Sequence, residues 1–284
     1  MIFTTVVTGD YVPGAKVLAD SLTATQEGFR FFTLAVDESA LERLPKTMNP
    51  LPPSVLKRTT VSGVQYDAFE LCNALRYSWI EYLFREYEPN YVVYLDSDIL
   101  VLNSFSPLFE FMGKKAFCLT PHVLRPYPMD GQRPDDLNLI NFGFHNSGML
   151  AFSNSPDTMA VLTFLKERVE RFCYNDPPRF FVDQKILPIA TGLFWEQFCQ
   201  LQHPGFNVAY WNLHERDLSE RAGVLYSNDE PLVFFHFSGF DYHSPQALTR
   251  WPSRPLGKSR DIVGRLVEAY YARLLEARRQ LEAE

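Results

Sequence analysis

The chain has 284 residues, of which 46% are apolar and 21% charged, and 34 acidic against 27 basic side chains give a net charge of −7. This usage excludes general disorder, and the length allows one large domain or two small ones whose core needs neither disulfides nor a structural metal. The negative balance lacks the basic footprint of a general nucleic-acid binder, so no nucleic acid is expected as a partner. In chain order, residues 2–8 read as a buried strand and 12–25 as a helix with Pro13 near its start. Residues 31–36 read as a second strand, 49–53 as a Pro-rich loop and 55–61 as a short strand. Residues 68–87 predict a helix with Leu71, Leu75, Trp79 and Tyr82 on one face. Residues 91–95 and 115–119 predict further strands.

Strands alternating with helices imply a mostly parallel sheet with helices on both faces, an α/β class in which ligands bind at the carboxyl ends of the strands. The second half is less regular. Residues 121–141, rich in Pro and Asp, predict a long polar loop of the kind that tends to be functional or mobile. A strand at 148–152, helices at 157–173 and 182–190, a strand at 233–237 and a last helix at 259–282 follow.

The four cysteines show no metal-type spacing and sit among apolar residues, as expected of buried free thiols in a reducing compartment. The N-terminus has no basic region followed by a long apolar run, and no stretch reaches about 18 uninterrupted apolar residues. A cytosolic location, or at most peripheral membrane contact, is expected. The basic side chains Arg265, Arg273, Arg278 and Arg279 of the last helix either touch an anionic membrane or are exposed on a helix packed against the body. Glu268, Glu276, Glu282 and Glu284 favour the second.

The strongest local feature is Tyr94-Leu95-Asp96-Ser97-Asp98, at the end of a buried strand. In extended chain, positions i and i+2 face one side about 6.6 Å apart. Two carboxylates there repel by roughly 2–3 kcal/mol at an effective dielectric near 20. A divalent cation removes that cost, and Mg²⁺ or Mn²⁺ suits oxygen ligands and commonly completes its shell with substrate phosphates. The alternative is a solvated strand end. His236, in Phe234-Phe235-His236-Phe237-Ser238-Gly239, is either a core histidine or an imidazole ligand to the same ion. Gly239 allows close backbone approach to a phosphate. His145-Asn146-Ser147-Gly148 precedes a strand, Val182-Asp183-Gln184-Lys185 opens a helix, and residues 207–212 set amides beside rings, a surface suited to hydroxylated ligands. Each of these is also compatible with an ordinary cap or turn.

In this order the motifs resemble those of GT-A-fold glycosyltransferases, nearest to bacterial enzymes of the glycosyltransferase family 8 type, from residue 4 to about 245. The resemblance implies a Rossmann-like GT-A fold with an elaborated C-terminal half. It divides a single domain, 1–284, into a nucleotide-binding half (1–120), an acceptor and donor-sugar half (121–258) and a C-terminal helix (259–284). It further implies transfer of a hexose from a nucleoside-diphosphate sugar, UDP-hexose above all, to a glycan, glycolipid or other hydroxyl acceptor, with retention of configuration. Surface-polysaccharide or glycolipid assembly is the setting it suggests. Thr8, Asp10 and Tyr11 would hold base and ribose, and Asp96, Asp98 and His236 would hold Mn²⁺ or Mg²⁺ as cofactor. Arg76 would add fixed positive charge, Asn146 and Ser147 would form the donor-sugar turn, and Asp183 and Gln184 would act catalytically near the anomeric carbon.

The family's basic-Pro-Trp segment after the His-Gly motif is replaced here by Asp241-Tyr242-His243-Ser244-Pro245. Arg250, Arg254 and Lys258 are then either substitutes for its cation or ordinary surface charges. If transfer instead inverted the anomeric centre, Asp183 or Asp241 would have to serve as base. A sugar-phosphate nucleotidyltransferase is disfavoured, because Thr8-Gly9-Asp10-Tyr11 carries one Gly and no basic residue. A non-catalytic nucleotide-sugar binder is disfavoured by the intact aspartate pair and His236.

Overall fold

The structure is a computed structural model that describes residues 1–56, 61 and 64–283. The expected first strand is β1 (Ile2–Val7), whose alternate residues enter two different cores: Ile2 and Val6 on one face, Phe3 and Val7 on the other. It leads into α1 (Val12–Thr25), with Pro13 in the first turn where its missing N–H costs nothing. Then come β2 (Arg30–Ala35), α2 (Glu38–Arg43) and β3 (Pro50–Leu51). Of the strand expected at 55–61, residues 57–60 lie outside the described residues, and Val55 closes a short 3-10 turn.

Helix α3 (Ala68–Tyr87) starts at a reciprocal cap in which Asp67 accepts from the Glu70 N–H and Glu70 accepts from the Asp67 N–H. Strands β4 (Tyr91–Leu95) and β5 (Ile99–Val101) flank the aspartate pair, and α4 (Ser106–Met112) leads to β6 (Phe117–Pro121). The polar segment 121–141 is not loop throughout, because α5 (Asp136–Phe142) begins at Asp135, whose side chain accepts from the N–H groups of Leu137 and Asn138. Strand β7 (His145–Ser153) starts earlier than expected and includes the His-Asn-Ser-Gly segment. Then follow α6 (Pro156–Phe172), α7 (Leu187–Leu193) and, at the end, α8 (Arg260–Ala283). The helix expected at 182–190 is a 3-10 turn at 183–185 running into α7.

Among the described residues the central sheet has seven strands, in the order Phe198–Gln200, β6, β7, β4, β1, β2, β3. The β1–β2, β1–β4 and β2–β3 pairs are parallel, and β7 runs antiparallel to both β4 and β6. From β1 the chain steps outward through β2 and β3, then returns to the other side of β1 as β4. The carboxyl ends of β1 and β4 therefore border the point where strand order reverses, the crevice in which α/β folds bind ligands.

Helices α3 and α6 cover one face of the sheet and α1 and α4 the other. The basic face of α8 is not its only face: Val263, Leu266, Val267, Tyr270, Leu274 and Ala277 are buried against the body. No helix among the described residues is long and apolar enough to cross a membrane. All four cysteines are free, with Cys118 and Cys173 buried.

Candidate functional site

The aspartates and His236 lie far apart in sequence, and a single strand pairing joins them. Strand β5 pairs antiparallel with Phe234–His236 in the register Val101 to Phe234, Leu100 to Phe235 and Ile99 to His236. The Phe237 N–H donates to the Asp98 carbonyl at 2.8 Å, and the Asp96 N–H donates to the Gly148 carbonyl at 2.8 Å. The turn holding both carboxylates is thus pinned between β7 and the last strand.

His236 Nε2 lies 3.0 Å from Asp98 Oδ1 and 4.0 Å from Asp96 Oδ2. One ligand atom from each of the three side chains falls within 4.8 Å of the others. His236 Nδ1 meets Asn207 Oδ1 at 3.0 Å. An amide oxygen only accepts, so Nδ1 carries a proton, and the Nε2 edge of the ring is turned toward the carboxylates. Gly148 leaves room for this ring, since a Cβ there would come within 2.5 Å of the imidazole.

Asp98 Oδ1 is shielded from solvent and receives no aligned hydrogen bond, although the imidazole nitrogen is close. An orphaned carboxylate oxygen beside an imidazole nitrogen and a second carboxylate fits a divalent cation: two oxygens and one imidazole nitrogen suit Mn²⁺ or Mg²⁺. Burial pushes the Asp96 carboxyl up; Arg76 pulls it back and Asp98 adds to the rise, for a net upward shift. Burial alone would lower the His236 imidazole, but Asp98 and Asp96 outweigh it and the net shift is upward.

Beneath these three groups lies a hydrogen-bonded layer, in which Arg76 Nε and Asp183 Oδ1 have no partner among the described residues. Arg76 projects from α3 and is 3% exposed. Its Nη1 donates to Asp183 Oδ2 at 3.0 Å and to the Ser147 carbonyl at 2.9 Å, and its Nη2 donates to Asp96 Oδ1 at 3.3 Å. The guanidinium also lies over the Tyr94 ring at 4.4 Å, and Tyr94 Oη donates to Asp96 Oδ1 at 2.8 Å. Burial would lower the Arg76 pKa, but Asp183, Tyr94 and Asp96 raise it well above its ordinary value.

Asp183 is 0% exposed, and its Oδ2 also accepts from Tyr77 Oη at 2.8 Å. Gln184 Oε1 accepts from Asn146 Nδ2 at 3.1 Å and from the Ser147 N–H at 3.0 Å, while its Nε2 donates to the Phe142 carbonyl. The expected catalytic pair is therefore buried beneath the cluster. Asp183 holds Arg76, and Gln184 holds the 146–147 segment. Val182, just before them, takes φ +37°, a costly conformation for a β-branched residue.

The amides expected to face a hydroxylated ligand do not do so. Asn207 and Asn212 are fully buried. Asn207 Nδ2 donates to Thr120 Oγ1 and Asn146 Oδ1, and Asn212 Nδ2 donates to the carbonyls of His122 and Asn207. They form the layer that orients His236. A local amide-and-ring pattern does not reveal this, because the partners come from β6, β7 and the last strand.

The residues expected to hold the nucleotide are open. Tyr11 is 57% exposed, Asp10 is exposed and Thr8 half-buried. Their turn is held from α2, where Asp37 accepts from the Gly9 N–H and Arg43 Nη1 donates to the Gly9 carbonyl at 2.7 Å. The sequence reading missed both clasp residues. Gly239 takes φ +74°, and a Cβ there would meet the Trp251 indole at 2.4 Å, so its small size serves this ring. Of the three candidate substitute cations, Arg254 is excluded: it is buried and donates to Asp130 Oδ2 and to the carbonyls of Pro128, Gln132 and Pro134. It fastens the 121–141 segment to the body.

Residues 3–240 match the sequence model of the family described as Glycosyl transferase family 8. The chain belongs to this family. It is therefore a glycosyltransferase. Among curated relatives, the uncharacterised protein YfnF of Bacillus subtilis (strain 168) is 26% identical over 235 residues, which cover 80% of this chain and 77% of the relative. YfnD of the same organism is 23% identical over 252 residues, covering 84% and 77%. Among solved structures, the galactosyltransferase LgtC in complex with donor and acceptor sugar analogues superposes with a TM-score of 0.57 at 17% identity. The match spans 97% of this chain and 96% of that one. This likeness agrees with the GT-A fold expected from the motifs.

Proposed function

We propose that this glycosyltransferase is metal-dependent and moves a hexose from a nucleoside-diphosphate sugar, UDP-hexose first, to the hydroxyl of a glycan, glycolipid or similar acceptor. One observation carries the reading: the approach of His236 to Asp98 and Asp96 at the carboxyl end of β4. Asp96, Asp98 and His236 are the residues that would hold Mn²⁺ or Mg²⁺. When bound, the ion supplies positive charge at the diphosphate oxygens as the leaving group departs.

The chain's own residues do the rest. Thr8, Asp10 and Tyr11 take the base and ribose at the open turn. Arg76 presents a positive charge fixed in advance by Asp183, the kind of preorganised charge that lowers barriers most. Asn146 and Ser147 form the donor-sugar turn, held from below by Gln184. Asp183 and Gln184 lie under the reacting carbon and position these groups. The bond between the anomeric carbon and the phosphate oxygen breaks, the acceptor oxygen bonds to that carbon, and its proton passes to an oxygen of the departing diphosphate or to water.

Retention is part of the proposal. The burial of Asp183 and its bonds to Arg76 and Tyr77 argue against its use as an inverting base. The whole chain forms a single domain on this reading, with donor groups up to about residue 120 and sugar and acceptor groups beyond. Action in the cytosol, with at most peripheral membrane contact, is the companion reading.

Thermal-shift screening against nucleotide sugars, with and without Mn²⁺, tests the donor. A shift for one nucleotide sugar that requires metal is expected, and equal shifts in EDTA would remove the metal. NMR of the product tests retention, and a β-linked product from an α-linked donor refutes it.

A further inference from the structure

The charge around the site does not balance with a donor bound. Among the described residues Arg76 is the buried guanidinium paired with Asp96 and Asp183, Asp98 pairs with His236, and a histidine that ligates a metal is neutral. A divalent ion cancels what remains. The two negative charges of a diphosphate then need cations from the rim, and Arg254 is engaged elsewhere.

Two other guanidinium groups stand at the rim. The Arg250 N–H donates to the Gly239 carbonyl at 3.0 Å, which sets Arg250 beside the segment that follows His236, and its guanidinium lies 4.8 Å from the Trp251 ring. Arg278 arrives from α8. A ladder of rings joins that helix to the residue after His236: Phe237 stacks on Tyr270 at 4.0 Å, Phe240 meets Tyr270 and Tyr271, and Tyr242 meets Phe240. The Arg278 guanidinium lies 4.1 Å from the centre of the Tyr242 ring.

Among the described residues neither guanidinium has a carboxylate partner, whereas on the same helix Arg265 pairs with Glu220 and Arg279 with Glu276. The Tyr242 phenol is pushed up by burial, pulled down by Arg278 and pushed up again by Tyr11 and Asp98. At Tyr11 the ring is mostly exposed, yet its phenol is raised, first by burial and next by Asp98, with Arg250 pulling down. Both arginines thus act on groups that also feel Asp98.

We propose that Arg278, carried by the C-terminal helix, and Arg250, carried by the loop after Gly239, clamp the donor's diphosphate from the rim. The proposal rests on the nucleoside-diphosphate-sugar reading above. Both residues lie beyond residue 240, where the family match ends, so α8 contributes to the donor site as well as to stability. The aromatic rings beneath the guanidinium groups keep them extended without neutralising them.

The test is calorimetric binding of UDP, GDP, ADP and uridine with Mn²⁺ present. It uses the full-length wild type, Arg278→Gln, Arg250→Gln, the double variant and Arg278→Lys, each checked by thermal melting. Each Gln variant is expected to bind UDP about 10-fold or more weakly, as befits loss of a charge-assisted contact. Uridine affinity should stay constant, and Arg278→Lys should recover most of the loss. A double variant that binds UDP like the wild type overturns the clamp alone. Equal losses for uridine and UDP also overturn it, because a distorted rim then explains both. A wild type that binds none of the three diphosphates overturns the donor reading, and the clamp with it.

Discussion

The floor and the rim of the site are built on opposite plans. On the floor, Arg76, Asp183, Gln184 and Asn207 are buried, and their hydrogen bonds run to β7, α3 and the last strand. On the rim, Tyr11, Arg250 and Trp251 are exposed and fixed mainly through backbone and ring contacts. A polar group already satisfied by protein has little to offer a ligand, whereas one fixed in place but unpaired has much. The floor therefore sets geometry in advance, with Arg76 Nε and Asp183 Oδ1 left unpartnered, and on the proposed reading the rim supplies contacts on binding. The aspartate pair stands at the boundary, with Asp96 bonded from below and Asp98 Oδ1 unpartnered.

That contrast can be broken by experiment. Asp98→Ala removes a boundary oxygen that contributes no aligned hydrogen bond to the fold. Transfer activity should fall roughly 10³-fold or more while the melting temperature stays near that of the wild type; preserved activity breaks the assignment. Arg76→Met acts on the floor and leaves Asp183 as a buried carboxylate without its cation. A loss of about 3–5 kcal/mol in stability is expected, read by urea denaturation, and wild-type stability would show that this ion pair does not support the floor. Asn207→Ala frees His236 Nδ1. Mn²⁺ affinity should weaken about 10- to 100-fold in calorimetric titration, and an unchanged affinity denies Asn207 its orienting role.

The smallest effect near neutral pH comes from His122 and His145, which burial pushes down to about 4 each. Their folded values lie below the unfolded value near 6.5. The stability they protect is therefore full above about pH 6.5 and is lost as pH falls toward 4. Over the first unit below 6.5 the loss should stay within about 2–3 kcal/mol. Denaturation midpoints at pH 7, 6 and 5 check this, and a flat profile contradicts it.

The elements legible in the sequence were those with long periodic patterns. Helices α1, α3, α6 and α8 and strands β1, β2 and β4 lie close to their expected positions, because burial of one face imprints itself on residue spacing. Helices α2, α4 and α5 and strand β5 are too short to leave such an imprint. The three members of the Asp-Asp-His cluster were legible because each ends or follows a strand of strong β-formers. What they rest on was not. The bonds from Asn207 to His236, from Asp37 to Gly9 and from Arg254 to Pro134 join residues 29, 28 and 120 positions apart, and no local pattern encodes such partners. The same limit hid the partners of Asp183 and Gln184 in α3 and β7.

The pairing of β5 with Phe234–His236 has a consequence for biosynthesis. A nascent chain releases the two aspartates from the ribosome well before the imidazole, and the strand that carries it docks only after residue 236 has emerged. Until then the acidic turn lacks its third ligand and most of the fastening on one side. On the proposed metal reading, a fragment terminated anywhere before that strand should fail to retain Mn²⁺.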